Sequence, residues 1–562
     1  MFKKSSKEPQ HDIFGSITGM LSGSAVRKYN DEGHWHNQFR QEIVQRIDES
    51  PYKVLFNDSM GAPNAPIRLL IGMMVMKEAF GWSDAQLYEQ CQFNLLARSA
   101  LGLININDSL PAESTYYLLR KRIYEYHRQT GEDLLEQTFI QVTHEQVKQF
   151  NVNGTCIRMD SKLIGSNIAY FTRYEIIHQA LCRFYKTLDK KSRYRLSFPV
   201  KRQIDQLMNE EPGKTVYHST KQELQERLKP MGLLIHKVLQ VHKANTSELY
   251  QLLERVFTEQ YKVNDDQQVE LRPKEEITSD SVQSPHDPDS AFRNKDGQKV
   301  KGYSANITET NSDDNLNLIT SVIVDPANTP DTEFVKPAID HTRQVTDQDI
   351  DKAYLDGAYQ SPDHDEFCQD IDMVYTGISG NPSRYDLEMT PEGLLVTDTH
   401  TGEHIQARLA KKIKNSKQDN WYIDTDKGRR YFTPEHIRSS HLRRQMNQRP
   451  KQEIWKRNNV EATIFHFCFP LRNNKTRYRG QFKNQIWAYC RCLWINLVRI
   501  INLLKQPCQR TVNVMEMYAK YPPFNELFSF RGSFCQNFSI QLPVLLLSFS
   551  FTILSVIFIV PF

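Results

Sequence analysis

The chain lacks a charge excess. Its 71 Lys and Arg nearly cancel 67 Asp and Glu, leaving +4 over 562 residues, so no overall field points to a polyanionic partner and only a local cluster could. A cysteine framework is missing too. Nine cysteines are odd in number and scattered, and Cys490 with Cys492 is a C-x-C without a second pair, so neither a disulfide scaffold nor a zinc site is signalled. That usage fits a reducing cytosol. No internal repeat is visible, which sets solenoid architectures aside. The start, "MFKKSSKEPQHD", has no apolar run after its lysines, so no secretory signal peptide is expected.

What is present is enough apolar material to fold. Hydrophobic residues make up 39% of the chain and aromatics 11%. At roughly 100 to 200 residues per domain this length implies about three or four units. Charge is unevenly spread: from His441 to Ile500 thirteen Lys or Arg face two acids, Glu453 and Glu461, so a phosphate backbone is expected there. After Arg531 no charged residue follows, and Leu542 to Phe562 is apolar and long enough to span a bilayer.

Apolar periodicity predicts a helical N-terminal domain over 1–147. Leu69, Leu70, Met73, Met76 and Phe80 mark one helix, and Ser83 or Asp84 caps the next. In "LPAESTYYLLRKRIYEY" a basic face carries Arg120, Lys121 and Arg122, which suits either a DNA-binding module or a helical subdomain with a solvated face. A strand ending near Asp160 follows in 148–170, then a helical insertion and linker over 171–290, the linker being the polar, proline-bearing stretch from Lys262 to Ser290. Three strand-like runs, "KVKGYSANITET", "LNLITSVIVDP" and "KAYLDGAY", fall in 291–372. The turn-rich 373–450 reads as an insertion subdomain whose fold the pattern does not resolve. Helical spacing resumes over 451–505, where Phe482, Ile486, Cys490, Leu493, Leu497 and Ile501 outline one long amphipathic helix, and 506–562 is a hydrophobic tail.

This order puts Asp160 and Asp356 each at a strand end, where carboxylates of an α/β sheet face the crevice that collects ligands. Glu461 lies among Ile454, Val460, Ile464 and Phe465, which predicts a helix face turned inward. Three such acids would make an oxygen-rich site of the kind Mg²⁺ or Mn²⁺ prefers. Plainer readings stand beside it: a turn cap at Asp160, a strand-end turn at Asp356 before Gly357, and an ion pair between Glu461 and Arg457 one helical turn earlier.

Four ordered blocks, "MDSKLIGSNIA", "PHDPDSAFRNKDGQKVKGYSANITET", "AYLDGAYQS" and "VEATIFHF" followed by "RYRGQFKNQIWAYCRCLWINLVRI", resemble bacterial insertion-sequence transposases of the DDE class. Upstream, "LFNDSMGAPNAPIRLLIGMMVMKEAFGWSDAQLYEQCQFNLLARSALGL" with "LPAESTYYLLRKRI" resembles the helical domain that precedes the catalytic core in that group, so the likeness runs from about Phe39 to Asn502. The resemblance implies an α/β fold, an RNase H-like mixed-sheet core with a helical N-terminal domain and large insertions. It implies Asp160, Asp356 and Glu461 as catalytic, metal-binding residues for two Mg²⁺ or Mn²⁺ ions. The implied reaction is cleavage of DNA at transposon ends followed by strand transfer. Its partners would be double-stranded DNA, as terminal inverted repeats and target, and a second copy of the chain, in the bacterial cytoplasm and on the nucleoid when bound. Expected DNA contacts are Arg457, Arg472, Lys475, Arg477, Arg479 and Lys483, with Arg120 and Lys121 from the N-terminal domain. Two departures stand out. Where many related transposases carry a lysine seven residues after the glutamate, this chain has Cys468, which leaves open a catalytically impaired protein that binds the ends of a degenerate element. The tail has no counterpart, and a shifted or fused reading frame, a membrane span and a buried terminal helix all remain open.

Overall fold

The computed structural model describes residues 1–505 except 9–11, 13–14, 58–60, 267, 296, 313–315, 379–382, 411–419 and 427. The hydrophobic tail, with its three readings, lies outside the described residues. Among the described residues no helix is long and apolar enough to cross a membrane. Met1–Leu503 make one compact unit.

Its centre is a mixed sheet of β1 (Cys156–Gly165), β2 (Ala291–Lys295), β3 (Gln298–Thr310), β4 (Ile319–Pro326), β5 (Lys352–Leu355) and β6 (Asp372–Tyr375). β3 pairs antiparallel with β1 along one edge and with β2 and β4 along the other, while β1, β5 and β6 run parallel. From Gly302 to Thr310, β3 is buried throughout, as befits a strand covered on both faces. Six helices matter for the site: α1 (Ile67–Phe80), α2 (Glu113–Thr130), α3 (Leu134–Phe150), α4 (Val335–Thr346), α5 (Asn459–Cys468) and α6 (Gln481–Lys505).

Alternation along β1 sorts its side chains between two cores. Ile157 and Met159 join Val335, Ala338 and Ile339 of α4. On the other face, Ile164 joins Tyr303, Ala305 and Ile307 of β3, Ile464 and Phe467 of α5, and the apolar stripe of α6. The same cluster takes in Leu70, Met73 and Met76 of α1, so the N-terminal helices share the core of the sheet. Ser83 caps the helix after α1 with a reciprocal bond to Gln86.

Three expectations change. β1 does not end at Asp160, because pairing with β3 continues to Gly165, whereas its parallel partner β5 pairs only with Cys156, Ile157 and Arg158. Asp160 therefore sits mid-strand, just beyond the point where one neighbour is lost. The stretch read as a linker contains a hairpin, Tyr261–Val263 with Val269–Leu271, and then a buried run in which Asp287 accepts from Ser166 Oγ and, at 2.6 Å, from the Tyr303 hydroxyl. The stretch 373–450 is not all insertion: Met373–Tyr375 belong to β6 of the central sheet, and the described residues after them form two three-stranded antiparallel sheets and a helix, Pro434–Gln448, around Leu387, Leu394, Val396, Ile423 and Phe432. Between β1 and the hairpin that begins at Tyr261, helices from Arg173–Thr187 to Glu248–Gln260 pack around a core of their own, including Ile177, Leu181, Phe184, Ile235 and Leu253.

Candidate catalytic centre

Asp160 projects from the same face of β1 as Arg158, Lys162 and Ile164. Asp356 follows β5 directly and caps the short turn Gly357–Tyr359, its Oδ1 accepting the Gly357 amide at 2.5 Å. Glycine is needed at 357 for close approach rather than for a left-handed φ, since an added Cβ would stand 2.5 Å from the Gly377 carbonyl oxygen. Glu461 opens α5, and here the inward-facing expectation is corrected. Val460, Thr463, Ile464 and Phe467 form the buried stripe at helical spacing, whereas Phe465 and Glu461 are exposed, the Glu461 side chain 65% so. The glutamate stands on the rim of the cleft.

The three acids meet at one guanidinium. Arg457 Nη2 lies 2.7 Å from Asp160 Oδ2 and 3.9 Å from Asp356 Oδ2, and Nη1 lies 3.1 Å from Glu461 Oε1. The ion pair weighed as the plain reading of Glu461 is thus present, and it is part of a larger cluster. Among the described residues no three His, Cys, Asp or Glu are grouped so as to hold a metal ion as they stand, and the positive charge between the acids is that of Arg457. The donor set nevertheless fits a hard divalent cation, being all carboxylate. Burial raises the Asp160 carboxyl above its usual range and the Asp356 charge adds to this, while Arg457 and the Ser161 amide oppose it. Such an acid gains from a nearby cation.

A buried network mounts Glu461 against the sheet. Glu309 of β3 is fully buried and accepts from Arg158 Nε at 2.5 Å, Thr463 Oγ1 at 2.7 Å and Arg499 Nη2 at 2.6 Å, tying β1, β3, α5 and α6 at one carboxylate. Burial alone would push that carboxyl up, but the two guanidiniums and the Thr463 hydroxyl outweigh it and hold it below the ordinary glutamate value. Arg158 Nη1 also reaches Asn311 Oδ1 at 2.9 Å and the Lys456 carbonyl at 3.4 Å, next to Arg457. Nothing in the sequence marks Glu309, which reads as one polar residue in a strand. Lys162 was also overlooked, although its place two residues beyond Asp160 puts it on the same strand face. It lies close enough to Cys468 to act on that thiol, which burial pushes up to about 11. Lys295 acts likewise on Asp160.

Residues 27–122 match the family model described as Transposase domain (DUF772). The transposase domain takes in α1 and much of α2, the part of the chain already read as the helical domain before the core. It supports a transposase family, a transposition-related function and the nuclease or transposition chemistry that goes with it. No curated protein and no solved structure matches the chain.

Around the transposase domain the expected DNA contacts divide into two groups. Arg120 faces Asp84 at 3.6 Å and lies over Tyr116, Lys121 faces Glu125 at 3.6 Å, and Lys483 lies over Tyr124. Those three basic residues, from two distant parts of the sequence, line one cavity of about 400 Å³ with Tyr116, Tyr124 and Phe482. The others are largely engaged by the protein. Arg477 donates to the carbonyls of Trp82 and Gly81 at 2.6 Å, Arg479 to that of Asn167 at 2.7 Å, and Lys475 to that of Ile168 at 3.1 Å. Arg457 is held by the acids, and Arg472 is exposed.

Proposed function

We propose that this chain is a DDE-class transposase that cleaves DNA at transposon ends and transfers the freed end to target DNA with the help of Mg²⁺ or Mn²⁺. The observation that carries the reading is the convergence of Asp160, Asp356 and Glu461 on Arg457 from three separate elements. The sheet order β4, β3, β1, β5, β6, in which β3 alone runs against the rest, supports an RNase H-like core. Asp160, Asp356 and Glu461 would hold the two ions, whose chemistry is to activate a water or 3′-hydroxyl and stabilise the leaving oxygen of a phosphodiester.

The chain itself supplies positioning. Glu309 and its donors fix the start of α5 against β1, so that Glu461 and Asp160 keep their separation when DNA arrives. Asp356 and Glu461 are open to solvent, where a phosphate can approach, while Asp160 is recessed. Arg472, Lys483, Lys162 and Lys295 offer charge to the DNA backbone, which gives affinity and salt dependence but no sequence choice. A homodimer would bring two such centres to the two ends of an element in the bacterial cytoplasm.

A second reading, an end-binding protein impaired in cleavage, is favoured by Cys468. Its thiol is half-buried and uncharged where a lysine is expected. One experiment separates the two. Supercoiled plasmid bearing the DNA that flanks the gene is incubated with the protein in Mg²⁺ or Mn²⁺. Nicking at the flanks that EDTA stops supports the transposase. End-specific binding without a nick in Mn²⁺ supports the impaired protein and overturns the first reading.

A further inference from the structure

Arg457 stands where the three acids meet. It belongs to the short 3₁₀ turn Lys456–Asn458 between the helix Lys451–Trp455 and α5, not to a regular helix. Its guanidinium is nearly buried, and among the described residues no other cationic side chain pairs with any of the three acids. We infer that the Arg457 guanidinium is a resident competitor of the divalent cation, occupying the point on which Asp160, Asp356 and Glu461 converge and setting the metal affinity of the protein without DNA. The inference rests on the metal-dependent reading above and deepens it.

The three pairs differ in strength. The contact with Asp160 is the shortest, and its partners are 10% and 16% exposed, so it is poorly screened. Asp356 and Glu461 are 45% and 65% exposed, and pairs with such partners contribute little. Arg457 Nε finds no hydrogen-bond partner although it is buried, which costs free energy that a fully satisfied fork would not. The guanidinium is therefore held mainly by one strong contact. Three carboxylates against one guanidinium leave an excess of negative charge that favours a doubly charged ion. Neighbouring cations relieve it only in part: Arg158 is committed to Glu309 and Asn311, and Lys352 to Glu453 and Asp372. Lys295 acts on Asp160 without contacting it.

The test is calorimetric titration of Mn²⁺ into the full chain without DNA, comparing the wild type with Arg457→Ala, Arg457→Gln and Arg457→Lys. Circular dichroism shows which variants fold, and the rise in melting temperature at saturating Mn²⁺ gives a second readout of the same affinity. Neutral Ala and Gln should bind Mn²⁺ about tenfold more tightly than the wild type, equivalent to about 1.4 kcal/mol. Lys, which keeps the charge, should stay near the wild type. Unchanged or weaker binding in both neutral variants overturns the inference while leaving the metal centre standing. No saturable Mn²⁺ site in any of the four proteins overturns both.

Discussion

Glu309 carries its charge with no exposed surface because Arg158, Arg499 and Thr463 surround it. Glutamine keeps one acceptor oxygen but leaves buried Arg158 and half-buried Arg499 without their opposing charge, so Glu309→Gln should cost about 3 kcal/mol, read as a lower denaturant midpoint. The pH dependence follows from the sign of the shift. A carboxyl depressed in the folded state contributes stability above the unfolded glutamate value, about 4.3, and loses it as pH falls through the lower folded value. The gap between wild type and Glu309→Gln should therefore be widest near neutrality and close below about pH 4. At this scale the resemblance of their blocks singled out Asp160, Asp356 and Glu461, and the fold brings these three acids to one guanidinium. The sequence could not give the place of Arg457 among them, which depends on β1, β5 and the turn before α5 meeting in space. Nor could it give the exposure of Glu461. Its apolar neighbours suggested an inward face, but an α-helix separates adjacent residues by about 100°, so buried Val460 and Ile464 leave Glu461 on the rim.

At the level of elements, strands and helices were legible where their period is local. The long amphipathic α6 and the strands β3, β4 and β5 follow from apolar spacing alone. The length of β1 does not, since its second half pairs with β3, more than a hundred residues away in sequence, and at Gly165 with Lys475. The insertion 373–450 stayed unread because its strands are short and its core small. The turn after β5 is a further case: Gly357 was read as the bend of a turn, but the chain needs glycine there because the Gly377 backbone passes so close. An added Cβ would push against the Gly377–Ile378 backbone, not against a yielding side chain. Gly357→Ala should then displace Asp356, lowering stability by about 1 to 3 kcal/mol and cleavage by more than that loss explains. Comparing the thermal midpoint with the cleavage rate of the folded fraction checks this, and a variant that keeps both would contradict it.

For the whole molecule, local charge proved a poor guide to available charge. Of the thirteen basic residues between His441 and Ile500, Arg449 pairs with Asp372, Arg499 with Glu309 and Arg457 with the three acids. Arg491 is buried, its guanidinium lowered by desolvation to about 10, and it donates to carbonyls of α1 and α5. Much of the cluster is thus internal scaffolding, a distinction that composition cannot make. DNA binding should weaken with salt, each phosphate contact contributing about −0.9 to the logarithmic slope. Arg472→Ala and Lys483→Ala should each reduce that slope by about one. Arg491→Ala should leave the slope unchanged and lower the melting temperature. Salt titrations of duplex binding separate these outcomes.

The proposed reaction needs Asp160, Asp356 and Glu461 to act as one centre. Its most direct test is single-turnover cleavage of a labelled duplex, carrying the inverted repeat that flanks the gene, by wild type, Asp160→Asn, Asp356→Asn and Glu461→Gln in Mn²⁺. The wild type should cleave, and each folded variant should be slower by on the order of a thousandfold, since each loses several kcal/mol of transition-state stabilisation. Cleavage that survives in any one of the three at the wild-type rate would contradict the account.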